Sequence, residues 1–155
     1  MGITNGGFET GDLTGWGDIS YTDGFDGPPI AETDVTTGAA DTGTYGLRHY
    51  VEIGGGSDDA YAISTQDIDT SFNTISFRYK INATSTGNGN IWAYLTIFDN
   101  VPNTAYLDLL YIEGLTVGSW QTVSFTKADL LAIMPSGFHF NAITTLTLFT
   151  GMWQI

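Results

Sequence analysis

The sequence contains no cysteine, and among its 155 residues only 4 are lysine or arginine, 4 are proline and 2 are histidine. Without cysteine there is no disulfide framework, no thiolate metal site and no thiol nucleophile. Against 17 aspartates and glutamates the few cations leave a formal charge of −13. Such a surface repels nucleic-acid phosphates and anionic lipid headgroups, so neither nucleic acid nor membrane is expected as a partner. No apolar run approaches the roughly 20 residues that cross a bilayer as a helix. Nothing before Ile3 has the length of a signal peptide. The chain therefore reads either as a module of a larger secreted protein or as a stand-alone protein that leaves its cell at lysis, as virion proteins do.

What the sequence does hold is aromatic and turn-rich. Aromatics make up 14% and apolar residues 42%, and glycine occurs 20 times. Short β-prone runs alternate with Gly, Asp, Asn and Pro clusters about every ten residues, the rhythm of a sandwich or barrel. The pattern predicts ten strands, near 3–9, 16–22, 31–36, 44–53, 59–66, 73–82, 90–98, 105–112, 119–126 and 142–149. One helix is expected at 127–134, with Thr126 as N-cap, Asp129 in its first turn and Pro135 as its stop. Loops are expected at 23–29 and 54–59, where glycine is dense. The expected fold class is all-β, a two-sheet antiparallel jelly-roll sandwich formed by residues 1–155 as one domain, with no internal repeat or linker.

Period-two alternation separates the faces of several strands. In 44–53, Tyr45, Leu47, Val51 and Ile53 oppose Gly46, Arg48, Tyr50 and Glu52. In 73–82, Ile75, Phe77, Tyr79 and Ile81 oppose Ser76, Arg78 and Lys80. Both faces of 90–98 are apolar, with Trp92, Tyr94 and Phe98 on one side and Ile91, Leu95 and Ile97 on the other.

Sugar rings stack their C–H faces on Trp and Tyr, and their hydroxyls seek polar groups around that platform. Trp92 and Tyr94 are the candidate platform. If that face is outward, Arg78, Lys80, Arg48 and Tyr50 join it, gathering three of the four cations beside aromatics. That arrangement hints at an anionic or polar glycan. A two-residue turn at Asn88-Gly89 would instead bury Trp92 and Tyr94 with Phe77 and Tyr79. A three-residue loop would put them with Arg78 and Lys80. If successive strands enter opposite sheets, neither register applies. Phe25 and Tyr106 are further exposed candidates.

Catalytic patterns are missing. His49 and His139 stand alone, the serines lack a nucleophile elbow, and no phosphate-cradling glycine loop precedes a helix. Acid pairs such as Asp58 with Asp59, or Asp67 with Asp69, are expected as solvated loop charges in so acidic a chain. The chain reads as a non-enzyme.

The opening Asn5-Gly-Gly-Phe-Glu-Thr-Gly-Asp-Leu-Thr-Gly-Trp16 combines turn-forming glycines, the apolar anchors Phe8, Leu13 and Trp16, and the oxygens of Asn5, Glu9 and Asp12. This segment resembles the N-terminus of jelly-roll carbohydrate-binding modules, family four and its relatives. Gly43-Thr-Tyr-Gly-Leu47 and Trp120-Gln-Thr-Val-Ser-Phe125 are similar to that family's later strand signatures. The resemblance implies a non-catalytic glycan-binding module of a secreted or surface protein. It also implies a structural Ca²⁺ held through Glu9 and through Asp41 or Thr42. This chain departs from the family at its end, where Gly151-Met-Trp-Gln-Ile155 carries no acid. A second expectation, from another class, is a virion decoration or fibre subunit. That protein would form a homo-oligomer or capsid contact by pairing its apolar segment 146–155 with a neighbouring chain.

Overall fold

The computed structural model describes residues 3–24, 29–54, 59–68, 71–82, 90–99, 106–113, 118–140 and 143–153. The expected loops at 23–29 and 54–59, with Phe25, lie largely outside these residues. Nine strands are described, all paired antiparallel: β1 (Gly17–Asp23), β2 (Ile30–Thr36), β3 (Gly46–Glu52), β4 (Asp59–Asp67), β5 (Thr74–Tyr79), β6 (Asn90–Asp99), β7 (Tyr106–Glu113), β8 (Gln121–Thr126) and β9 (Ile143–Trp153). One layer is a five-stranded sheet in the order β1-β4-β9-β6-β7, and opposite it lie two ribbons, β2-β3 and β5-β8. The expected sandwich is there, with its second layer divided in two.

The core between the layers follows from alternation. On β4, Ala60, Ala62, Ser64 and Gln66 point inward and are buried, while Asp59, Tyr61, Ile63 and Thr65 point out. Leu95 and Ile97 of β6, Leu107 and Leu109 of β7, and Leu146 of β9 complete the sheet's inner face. Ile75 is buried against them, and Val35, Leu47, Phe77 and Phe125 of the ribbons pack on the same cluster. A bulge in the β6–β7 pairing, between Leu95/Thr96 on the β6 side, lets both Leu109 and Leu110 reach it. Small residues at 60, 62 and 64 leave room for a polar group between layers. His49 of β3 fills that room, with Nε2 2.8 Å from Ser64 Oγ and Nδ1 3.2 Å from Thr150 Oγ1.

The helix α1 spans Lys127–Ile133 and is capped as its sequence predicts. The Thr126 side chain accepts from the Asp129 amide at 3.2 Å, and the Asp129 carboxylate accepts the Thr126 amide at 2.8 Å. Leu130 is its buried anchor. A short 3-10 turn at Thr37–Ala39 was not foreseen.

Two expectations are corrected. Segment 3–9 is a chain of tight turns rather than a strand, with Asn5 and Phe8 at φ 49 and 58. A left-handed residue costs about 1–2 kcal/mol, and burial of the Phe8 ring, 5.3 Å from the Trp16 ring, offsets it at about 2–3 kcal/mol. The segment 146–155 was expected to pair with another chain. Its described part belongs to β9, which is hydrogen-bonded to β4 on one side and β6 on the other and so has no open edge.

Candidate functional site

The outer face of the five-stranded sheet carries the feature that stands out. Tyr21 on β1 is in register with Tyr61 on β4, and their rings stack with centroids 4.9 Å apart and an interplanar angle of 18°. Tyr61 faces Gly151 across the next pair, which leaves space for its ring to lie diagonally on Phe149 of β9, at 5.5 Å and 27°. Phe149 pairs with Tyr94 of β6, at 4.3 Å and 5°. Four rings from four strands thus form one ladder across the sheet. Ile19 and Ile63 border it, and Ile19 is 57% exposed. Farther along β6, Phe98 and the exposed Tyr106 form a second, tilted pair at 6.1 Å.

The faces of these rings are not equally free. Tyr61 is covered on both sides, by Tyr21 and Phe149, and Phe149 likewise by Tyr61 and Tyr94. Tyr21, on the edge strand and 41% exposed, has one ring partner. Burial, reinforced by Asp108, raises the Tyr94 phenol above its ordinary range. Asp23 raises that of Tyr21, whose hydroxyl lies 3.3 Å from the Asp23 carboxylate.

The five strands contain no lysine or arginine. Their outer face instead carries carboxylates: Asp23 opposite Asp59, Asp67 accepting from Thr145 at 3.3 Å, and Asp108 accepting from Thr96 at 2.6 Å. One buried oxygen of Asp59 has no hydrogen-bond partner. The face is therefore aromatic, acceptor-rich and without a cation among the described residues.

No protein-family model and no curated protein matches this sequence. Solved structures do. The Family 11 Carbohydrate-Binding Module from Clostridium thermocellum, in complex with a beta-1,3-1,4-mixed-linked tetrasaccharide, aligns with a TM-score of 0.51 and 14% identity over 94% of this chain and 89% of that one. The fold is the jelly roll of carbohydrate-binding modules. The N-terminal CBM22-1-CBM22-2 tandem domain of Paenibacillus barcinonensis Xyn10C aligns at 0.50 and 13% identity, over all of this chain and 44% of its own length. At such identities the likeness establishes architecture.

On this jelly roll the residues singled out from sequence are dispersed. Tyr94 lies in the ladder. Trp92 sits two positions earlier on β6, in register with Gly151 and Glu113, and its side chain lies outside the described residues. The four other candidates do not join them, because β5 pairs with β8 and β3 with β2, in the opposite layer. This corrects the cation-lined face: neither hairpin register about Asn88-Gly89 applies. Arg48 is held by Asp34 through two hydrogen bonds of 2.8 Å, and its guanidinium lies 5.6 Å from the Tyr50 ring centroid. Arg78 pairs with Asp41, tying the β5-β8 ribbon to the loop before β3. Lys80 is exposed beyond the end of β5. Sequence reasoning missed Tyr21, Tyr61 and Phe149. For Tyr61, the alternation Ala60-Tyr61-Ala62 was the available signal.

The candidate calcium ligands meet at the loop before β3, where the Glu9 carboxylate sits against residues 43–45, just after Asp41 and Thr42. Glu9 accepts backbone amides, Asp41 is engaged by Arg78, and Thr42 is an exposed loop residue. Among the described residues no three acidic or histidine side chains form a metal-binding group. Ca²⁺ takes six to eight oxygens, more than the side chains of Glu9, Asp41 and Thr42 carry between them.

His139, read as isolated, has a partner distant in sequence. The buried Asp99 carboxylate accepts the His139 amide at 2.6 Å and lies 3.1 Å from its Nδ1. The pair fastens the loop after α1 to the end of β6.

Proposed function

We propose that this chain is a non-catalytic glycan-binding module whose ligand lies across the outer face of the five-stranded sheet. The ring ladder from Tyr21 to Tyr94 is the observation that carries this reading. A sugar presents an apolar C–H face and a rim of hydroxyls. The ladder offers aromatic surface and phenol oxygens, and Asp23, Asp59 and Asp108 offer acceptors for hydroxyl protons. Tyr21 supplies an aromatic face at the open edge of the sheet, while Tyr61 and Phe149 hold the row in place. The family 11 module, solved with a bound tetrasaccharide, supports the class of ligand. A location outside the cell or on a surface accords with such a role. No described helix is long and apolar enough to cross a membrane.

Affinity electrophoresis against neutral polysaccharides, including mixed-linked β-glucan, tests the proposal. Retarded migration that is lost in Tyr21→Ala and Tyr94→Ala is the expected result. Free migration on every polysaccharide, or unchanged retardation of both variants, would overturn it.

A further inference from the structure

The N-terminal motif is closed by the chain's own donors. Asn5 Oδ1 accepts from the Thr10 amide at 3.3 Å, and Asn5 Nδ2 donates to the carbonyls of Asp12 and Thr14 at 3.1 and 3.4 Å. Hydrogen bonds from Thr14 and Thr10 hold the Asp12 carboxyl below its ordinary range. Buried Gln66 reaches up from β4, donating to the carbonyls of Thr4 and Gly15 at 2.7 and 2.8 Å and accepting the Thr4 amide at 2.7 Å. The Trp16 indole donates to the Asn5 carbonyl at 3.3 Å. The oxygens a cation would recruit here are already acceptors.

Glu9 completes the pattern. Its two carboxylate oxygens lie 3.2 and 3.0 Å from the Thr44 amide, and Oε1 lies 3.4 Å from the Tyr45 amide. Gly43 turns the backbone at φ +78, and a β-carbon there would overlap the Glu9 carboxylate. Successive amides aimed into one concavity form a nest, which is an anion site. A divalent cation on the same oxygens would face those N–H hydrogens. At Asp41 it would face the Arg78 guanidinium.

We propose that the amides of residues 44 and 45, exposed by the turn at Gly43, form an anion-binding nest that Glu9 occupies from within the chain, so that the N-terminal motif locks onto the sandwich without a divalent cation. This inference is independent of which ligand the ring ladder takes. With the Glu9 side chain removed, the nest becomes a vacant site for a small carboxylate.

The test is thermal unfolding of the purified chain in EDTA, in CaCl₂, and in sodium formate against sodium chloride of equal ionic strength. The wild type is expected to melt at the same temperature in EDTA and CaCl₂, and to be indifferent to formate. Glu9→Ala is expected to melt lower by on the order of 5 °C, from loss of charge-assisted hydrogen bonds to backbone. Formate should restore part of that loss, and calcium none of it. Glu9→Gln, which keeps the nest filled by a neutral amide, should melt lower without any formate response. It also serves if Glu9→Ala does not fold, because a calcium-insensitive loss in Glu9→Gln still supports the plug. A wild-type midpoint raised by calcium and lowered by EDTA would overturn the proposal. So would a Glu9→Ala protein that melts like the wild type or ignores formate.

Discussion

Phe149 of β9 lies flat against Tyr94 of β6, with ring centroids 4.3 Å apart and planes within 5° of parallel. The contact joins the central strand to its neighbour on the solvent side of the sheet, where burial alone would not demand an aromatic pair. Stacked pairs contribute about 0.5–1.5 kcal/mol beyond area burial. Phe149→Leu should therefore destabilise by about 1 kcal/mol in urea unfolding and weaken glycan retention by releasing Tyr61 and Tyr94. Tyr21→Ala should cost less stability, since its ring is at the edge with one stacking partner, yet reduce retention at least as much. Equal effects of the two variants on stability would remove the distinction between support and contact.

Stability should fall with acid through His49. Burial between the layers lowers its pKa from 6.5 to about 4. The folded state favours neutral imidazole, so the unfolded chain binds the extra proton first. The stabilising contribution is complete above about pH 6.5, declines as pH falls through the interval, and is lost below about pH 4, amounting to roughly 3 kcal/mol. Urea midpoints measured from pH 7 to 4 should show this decline, and His49→Gln should flatten it. An unaltered slope in that variant would assign the acid sensitivity to other groups.

Arg48 and Arg78 should behave differently in stability and alike in binding. Arg48 is exposed beside exposed acids, and Arg48→Ala should cost less than about 1 kcal/mol. Arg78→Ala strips the partner from Asp41, whose side chain is only 14% exposed, and should cost about 1–3 kcal/mol. Neither should change glycan retention, because both lie in the layer opposite the ladder. Loss of retention in either, with the fold intact by circular dichroism, would return the cations to the binding face.

At the helix, Thr126→Ala removes one half of the capping box and should cost about 1 kcal/mol. Leu130→Ala opens a cavity in the core and should cost about 2–5 kcal/mol. Thermal melts of the two variants rank them, and the reverse order would mean that α1 is anchored by its cap rather than by its buried face.

Much of this architecture was legible in the sequence. Alternation in 44–53 and 73–82 separated Leu47 and Phe77 from Arg48 and Arg78 as the inner and outer faces of the ribbons do, and Thr126, Asp129 and Pro135 delimited the helix. The N-terminal segment was misread as a strand because its conformation is set by Gln66 and Glu9 contacts with residues tens of positions away. The ring ladder was hidden for a similar reason. Its members lie on β1, β4, β6 and β9, and their adjacency depends on the order of strands in the sheet, which local periodicity does not encode. The expected union of Tyr94 with Arg78 failed at the same step, since neighbours in sequence entered different layers.

The position of β9 has a bearing on how the domain is made. As the chain emerges from the ribosome, β4 and β6 each wait for a partner that follows β8, so the broad sheet is two separated fragments until residues 143–153 appear. Pairings of such long sequence separation form slowly, and exposed strand edges in the interim invite aggregation. A nascent chain arrested before Ile143 should thus be recognised by chaperones and be unable to hold sugar, because the middle of its aromatic row has yet to be translated.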